Sequence, residues 1–231
     1  MKRFRYYTCN KRLYSFTNAS AKGEGCVYLE LCATLLAITF DRQNGERLIA
    51  ILVLSKFMQM TLPELLNDKT KKAKEKVETI SKWLLDGSLP TEELIVFAEQ
   101  AKDPEKGTCI EAIEFATRQN VTIADENVLA FVTKTLTETA PRVKWESAKV
   151  VGNIAKLFPT KLTKPISHLL TNAKDKGTVV RWAAAFALGE ILKLKTKHNK
   201  DLLPTLEAIC DSEQDNAIKK KYLDAIKKTN K

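Results

Sequence analysis

The sequence predicts an all-α fold of helical hairpins stacked in a row, and three observations predict it. From Lys69 onward, apolar residues recur at helical spacing in segments of 9 to 18 residues bounded by Gly, Pro, Asp or Asn. Gly and Pro number only 8 and 7 in 231 residues, which favours long helices over a chain of many tight turns. One stretch of about a dozen residues also returns at a fixed offset, the mark of a structural repeat.

Taken in order, Thr61-Leu62-Pro63-Glu64-Leu65-Leu66 opens a helix, with Thr61 as N-cap and Pro63 in the first turn. Lys69–Asp86 follows and stops at Gly87. Thr91–Ala101 ends at Asp103-Pro104, and Glu105–Gln119 comes next. Asp125–Glu138 stops near Ala140-Pro141, and Arg142–Phe158 ends at Pro159. Thr163–Ala173 gives way to Asp175-Lys176-Gly177, after which Thr178–Leu194, Leu202–Cys210 and Glu213–Lys228 complete the series. Each proline is expected at a boundary, where its missing N–H costs least.

The segments pair and the pairs repeat. Val143-Lys144-Trp145 through Ala148, Val150, Val151, Gly152 and Ile154 matches Val180-Arg181-Trp182 through Ala185, Ala187, Leu188, Gly189 and Ile191 at a constant offset of 37. A third copy at an offset of 38 starts at Ile218-Lys219 and reaches Leu223 and Ile226. A fainter one around Ile110-Glu111-Ala112 to Phe115 lies about 36 residues upstream. Gly inside a helix costs about 1 kcal/mol against Ala, so Gly152 and Gly189 at one repeat position point to a steric need for close helix approach.

Val180-Arg181, Ala184-Ala185, Ala187-Leu188-Gly189 and Ile191 resemble the second-helix motif of HEAT repeats, and Asp103, Asp175 and Asp211 resemble that family's inter-helix Asp. The resemblance covers most of residues 91–228. It implies a right-handed α-α superhelix (solenoid) of about four HEAT-like repeats, with Lys69–Asp86 as an N-terminal capping helix and second helices lining a concave groove.

Residues 1–59 read differently from 60–231. The first 23 residues are basic and lack any acid, and two short apolar runs follow, Cys26–Phe40 and Leu48–Leu54. Neither run reaches the roughly 20 apolar residues of a membrane span, and the apolar region lies too far from the start for a secretory signal. A transit-like segment fits better. The preferred expectation is translation starting at Met60 or Met58, with an over-extended reading frame ahead of it. Charge is polarised along the rest. Residues 60–140 hold 10 Lys+Arg against 15 Asp+Glu, and residues 141–231 hold 19 against 9, a balance of −5 followed by +10.

Five residues are candidates for the concave face: Lys144, Trp145, Arg181, Trp182 and Lys219. The three cations share one repeat position, and two readings compete for them, a ladder with inter-helix acids or a row facing an anionic partner. The two tryptophans also share a position, either packing between repeats or standing in the groove as binding hot spots. Trp83 reads as packing. The lysines of the last two repeats read as a solvated face, Lys outnumbering the Arg that base and phosphate recognition favours.

Catalysis finds no support. His168 and His198 have no nucleophile or carboxylate at triad spacing, and no Gly-rich phosphate loop or His/Cys metal cluster occurs. No catalytic residue, cofactor, metal, membrane or small-molecule substrate is expected. Five Cys without a CxxC pair read as reduced thiols in the cytoplasm. The function expected is a non-catalytic interaction or scaffold module with a protein or peptide partner. The alternative is nucleic-acid binding through the basic C-terminal half, in a shape similar to the DNA alkylation repair glycosylases. Such a resemblance would imply a catalytic Asp beside groove aromatics, and none adjoins Trp145 or Trp182.

Overall fold

A computed structural model describes residues 60–229 and, before them, only the backbone of a two-residue antiparallel ladder, β1 (Thr8–Cys9) with β2 (Arg12–Leu13). The chain divides into two compact units, residues 1–60 and 61–231. The expectations for residues 1–59, including a start at Met58, lie outside the described residues.

From Thr61 the unit is an all-α solenoid. Its helices are α1 (Leu62–Asn67), α2 (Ala73–Asp86), α3 (Thr91–Gln100), α4 (Asp103–Gln119), α5 (Glu126–Thr135), α6 (Pro141–Ile154), α7 (Thr163–Asn172), α8 (Thr178–Lys193), α9 (Asn199–Ser212) and α10 (Asn216–Thr229). Thr61 and Glu64 form a capping box at the start of α1: the Thr61 N–H donates to Glu64 Oε2 at 2.8 Å and the Glu64 N–H to Thr61 Oγ1 at 3.4 Å. Gly87 ends α2 at φ 77°, a left-handed conformation that a side chain would strain. Pro63, Pro104 and Pro141 occupy first turns, as expected.

Several boundaries differ from expectation: α2 begins at Ala73 rather than Lys69, α6 ends at Ile154 rather than Phe158, and α10 begins at Asn216 rather than Glu213. Pro204 lies inside α9, because this helix begins at Asn199 rather than Leu202. An extra turn forms there: Asn199 Nδ2 donates to the Leu192 carbonyl at 2.7 Å, and the Leu202 N–H to the His198 carbonyl at 2.9 Å. Asp103, expected between helices, is already the first residue of α4, where its charge meets the N-terminal dipole.

The helices form four hairpins, α3/α4, α5/α6, α7/α8 and α9/α10, preceded by the shorter α1/α2 pair. Each second helix packs on the second helices before and after it, so α2, α4, α6, α8 and α10 make one continuous layer. Successive first helices meet far less. The closely spaced layer is therefore the inner, concave side.

Burial repeats with the sequence. In α6 the buried positions are Val143, Glu146, Ser147, Ala148, Val150, Val151, Gly152 and Ile154, and in α8 every residue 37 further on is buried too. Seven of the corresponding eight positions in α4 are buried at an offset of 38, from Thr108 to Ala116. The first repeat thus sits two residues away from the offset of 36 that Ile110–Phe115 suggested. Its register is hidden because Glu114 stands where α6 has Gly152.

Candidate functional site

Helical spacing separates three faces on each second helix. On α8, Val180, Ala184, Leu188 and Ile191 are buried. Arg181, Ala185 and Gly189, four residues apart, face α10: Arg181 reaches Glu213, and a methyl group on Gly189 would sit 3.0 Å from Ala225 Cβ. The remaining stripe is Val179, Trp182 and Phe186, the first exposed and the two rings half-buried, with Phe186 lying against Gly152 of α6.

The groove changes chemistry along its length. Over α4 and α6 it is ionic. Arg142 donates to Glu111 at 2.6 Å across the two helices. Trp145 Nε1–H donates to Glu146 Oε1 at 2.6 Å, and Lys149 donates to Glu146 Oε2 at 2.8 Å. Lys149 also stands 3.5 Å from Glu114, another buried carboxylate. Burial pushes the Glu146 carboxyl above the usual range, against the opposing pull of Lys149.

Over α8 the groove becomes apolar and aromatic. Trp182 and Phe186 stack with ring centroids 6.1 Å apart and planes 9° from parallel. Both are half-buried, and Val179 beside them is 52% exposed. The Lys221 ammonium of α10 lies 4.9 Å from the Trp182 ring centroid, within cation–π range. On α10 itself Lys220 and Asp224 follow, both exposed.

Trp145 and Trp182 therefore share a repeat position and differ in surroundings. Trp145 is tied by its indole N–H to a carboxylate; Trp182 offers a ring face shared by an aromatic and a cation. Trp83 of α2 packs against the apolar core.

The three candidate cations lie on the flank between repeats. Lys144 donates to Asp175 at 2.8 Å, with side chains only 19% and 17% exposed. Arg181 donates to both oxygens of Glu213, at 3.0 and 3.4 Å, and to the Asp175 carbonyl at 3.0 Å. A rung that sequence reasoning missed precedes these two: Lys106 donates to Glu138 at 3.0 Å. Cation and acid are 32, 31 and 32 residues apart in the three rungs, a regularity that could have revealed the ladder. Of the three expected inter-helix acids only Asp175 takes part. Glu138 and Glu213 hold the other two places, while Asp103 lies in a helix and Asp211 is exposed. Lys219, the fourth cation, has no ion-pair partner among the described residues. The Lys144 hydrogen bond, and then the Gly177 N–H, hold the Asp175 carboxyl below its ordinary range.

Outside the groove, His168 Nδ1 lies 3.0 Å from the Thr133 carbonyl and ties α7 to α5. Asn172 Nδ2 donates to the Leu136 carbonyl at 3.0 Å and reinforces the same pairing. Both residues join repeats. Among the described residues no helix is long and apolar enough to cross a membrane.

These features define an α-solenoid whose repeats are joined by an ion-pair ladder, and known structures carry the same architecture. A designed armadillo repeat protein in complex with peptide (KR)4 is similar with a TM-score of 0.58 and 19% identity, over 88% of this chain and 94% of that one. Computationally designed armadillo repeat proteins for modular peptide recognition match with a TM-score of 0.57 and 18% identity, over 89% and 95%. The complex of CpcE and CpcF of phycocyanin lyase from Nostoc sp. PCC7120 matches with a TM-score of 0.53 and 22% identity, over 71% and 96%. No family model and no curated protein matches the chain. The chain has a HEAT/armadillo-type repeat fold.

Proposed function

We propose that this solenoid is a non-catalytic interaction module that takes a protein segment along its concave face, centred on Trp182. The observation that carries this reading is the half-buried Trp182–Phe186 stack beside the exposed Val179, with Lys221 over the Trp182 ring. A rigid aromatic pair flanked by cations suits an apolar side chain followed by acidic ones. Trp is prominent among interface hot spots, and a stacked, half-buried ring loses little entropy on binding. The designed relatives in shape include one bound to a peptide, which supports a peptide as the class of occupant.

Lys144 and Arg181 serve this site from its flank, fixing the spacing of α6, α8 and α10. Trp145 extends it toward the ionic half, and Lys219 adds charge at its far edge. Cys109 and Cys210 are unbridged and buried, and burial pushes the Cys109 thiol up to about 12, so it stays protonated and inert. Unbridged thiols support a reducing compartment, the cytoplasm.

Selection from a random peptide display library tests the reading. It expects enrichment of peptides with an apolar residue next to acids, and loss of their binding in Trp182→Ala. Binders indifferent to Trp182, or tight duplex DNA binding that falls steeply with salt, would refute it in favour of another surface or a nucleic acid.

A further inference from the structure

Two buried carboxylates under the ionic half of the groove share one lysine. Glu146 of α6 and Glu114 of α4 are 4% and 3% exposed. The Lys149 ammonium stands 2.8 Å from Glu146 Oε2 and 3.5 Å from Glu114 Oε2. The two acids differ in what else they hold. Both Glu146 oxygens are engaged, Oε1 accepting the Trp145 indole N–H at 2.6 Å and Oε2 accepting from Lys149. Glu114 Oε2 is buried and accepts no hydrogen bond among the described residues. Its Oε1 lies 3.9 Å from Arg118 Nε, on a side chain that is 55% exposed and set over the Phe115 ring. One close ammonium therefore serves two buried negative charges, and the second cation is distant and screened by water.

The other charged groups around this trio are held elsewhere. On α4 and α6, Arg142 binds Glu111, Lys106 binds Glu138 and Lys144 binds Asp175, while Asp103 and Glu105 sit in the first turn of α4. On α8, Arg181 binds Glu213 and Glu190 binds Lys193. On α5 and α7, Lys134 binds Glu99, Glu126 binds Lys161 and His168 lies against the Thr133 carbonyl. Lys156 and Lys164 are exposed. Burial is the largest influence on Glu146 and, with the Glu111 charge, opposes its ionisation; Lys149 and the Trp145 N–H favour ionisation but are outweighed.

We propose that Glu114, Lys149 and Glu146 form a proton switch in the groove: when Glu146 takes up a proton from solvent on Oε2, the Lys149 ammonium passes to Glu114 and Trp145 loses its ionic acceptor. The transfer is short, and it gives Glu114 Oε2 the donor it lacks. The indole N–H then donates to a neutral carboxyl, a bond about half as strong as one to a carboxylate. The ionic half of the groove gains one positive charge. Because the folded-state value of Glu146 lies above that of the unfolded chain, the native protein takes up this proton first as pH falls. Acidification through that window favours the folded state at this position, so the switch operates in the intact solenoid. It is independent of Trp182 and of what the groove binds.

Proton–nitrogen correlation spectra of the full chain test this, since its three tryptophans give three indole signals and Trp145→Phe assigns the one concerned. On titration downward from neutral pH, the Trp145 indole signal should move upfield in one step centred above 4.5, the ordinary value for glutamate. Glu146→Gln should abolish the step and hold the signal near its acid position. Glu114→Gln should lower the midpoint, because a like charge disappears and Lys149 is left wholly to Glu146. A step at or below 4.5 in the wild type would overturn the proposal. So would a step that survives in Glu146→Gln, or a midpoint that Glu114→Gln leaves unmoved or raises. The wild-type titration and the Glu114→Gln shift decide the matter even where Glu146→Gln does not fold.

Discussion

Replacing Gly152 with alanine separates two opposing effects whose sizes the structure sets. Alanine in a helix interior is favoured over glycine by about 1 kcal/mol. The added Cβ, however, would lie 2.7 Å from Phe186 Cε1, 3.1 Å from Phe186 Cδ1 and 3.2 Å from the Ala187 Cα. The Phe186 ring can turn aside, but only by giving up its stack on Trp182. The Ala187 backbone cannot move unless α8 moves with it. Overpacking of this kind costs about 1–3 kcal/mol. Gly152→Ala is therefore expected to bring no gain and to lower stability by up to a net ~2 kcal/mol. Gly107 supplies the control, since its added Cβ meets only the flexible Arg142 side chain, at 3.2 Å. Gly107→Ala should keep most of the propensity gain and stabilise by about 0.5–1 kcal/mol. Urea unfolding followed by far-ultraviolet circular dichroism measures both. If the two substitutions stabilise the protein alike, α6 and α8 are not as close as described and the account of the conserved spacing between second helices fails.

Other perturbations test the ladder and the groove. The Arg181 and Glu213 side chains are 21% and 6% exposed, so Arg181→Ala should destabilise by about 2 kcal/mol, mostly by stranding a buried carboxylate. A double-mutant cycle with Glu213→Gln should return a coupling of about 1 kcal/mol or more, and additivity would deny the rung. Asp175 has a lowered pKa in the folded state, so unfolding takes up protons on acidification; its stabilising effect is complete above the unfolded value of 3.8 and is lost as pH falls through the lower folded value. The stability difference between the wild type and Asp175→Asn should accordingly shrink as the pH is lowered below that value, and a difference independent of pH would contradict the Lys144–Asp175 pair. Trp182→Ala removes a half-buried ring, so its stability cost should stay below the ~3–5 kcal/mol of a core aromatic while peptide binding is lost. A core-sized loss would place Trp182 in the packing instead.

Much of this architecture is legible from residues alone, for a physical reason that also marks where legibility stops. Second helices are squeezed on three sides, so they need small residues at fixed intervals, and Ala148/Ala185 and Gly152/Gly189 betray the period. The same requirement places cations at Lys144, Arg181 and Lys219. Acids of the ladder stand in the loops between helices, where several residues can reach the same cation, so Glu138 and Glu213 replace the expected aspartates without disturbing the geometry. In α4 the register is obscured because Glu114 occupies the small-residue position, its carboxylate held near Lys149. The two tryptophans show the other limit. Their shared position is visible in the sequence, but what each touches depends on the neighbouring repeat: Glu146 for Trp145, Phe186 and Lys221 for Trp182.

The central claim is that second helices of adjacent hairpins lie side by side in direct contact. A Gly189→Cys, Ala225→Cys double variant tests it most directly, because these positions are 36 residues apart in sequence and their Cβ atoms would be 3.0 Å apart. That separation is close to the roughly 3.5–4.5 Å of a disulfide and within reach after slight relaxation. Mild oxidation of the folded protein should form the 189–225 bridge within one molecule, identified by mass-spectrometric mapping of non-reduced peptides. Thiols that stay free under those conditions, or that bridge only between molecules, would contradict the stacked arrangement on which the groove and the ladder both rest.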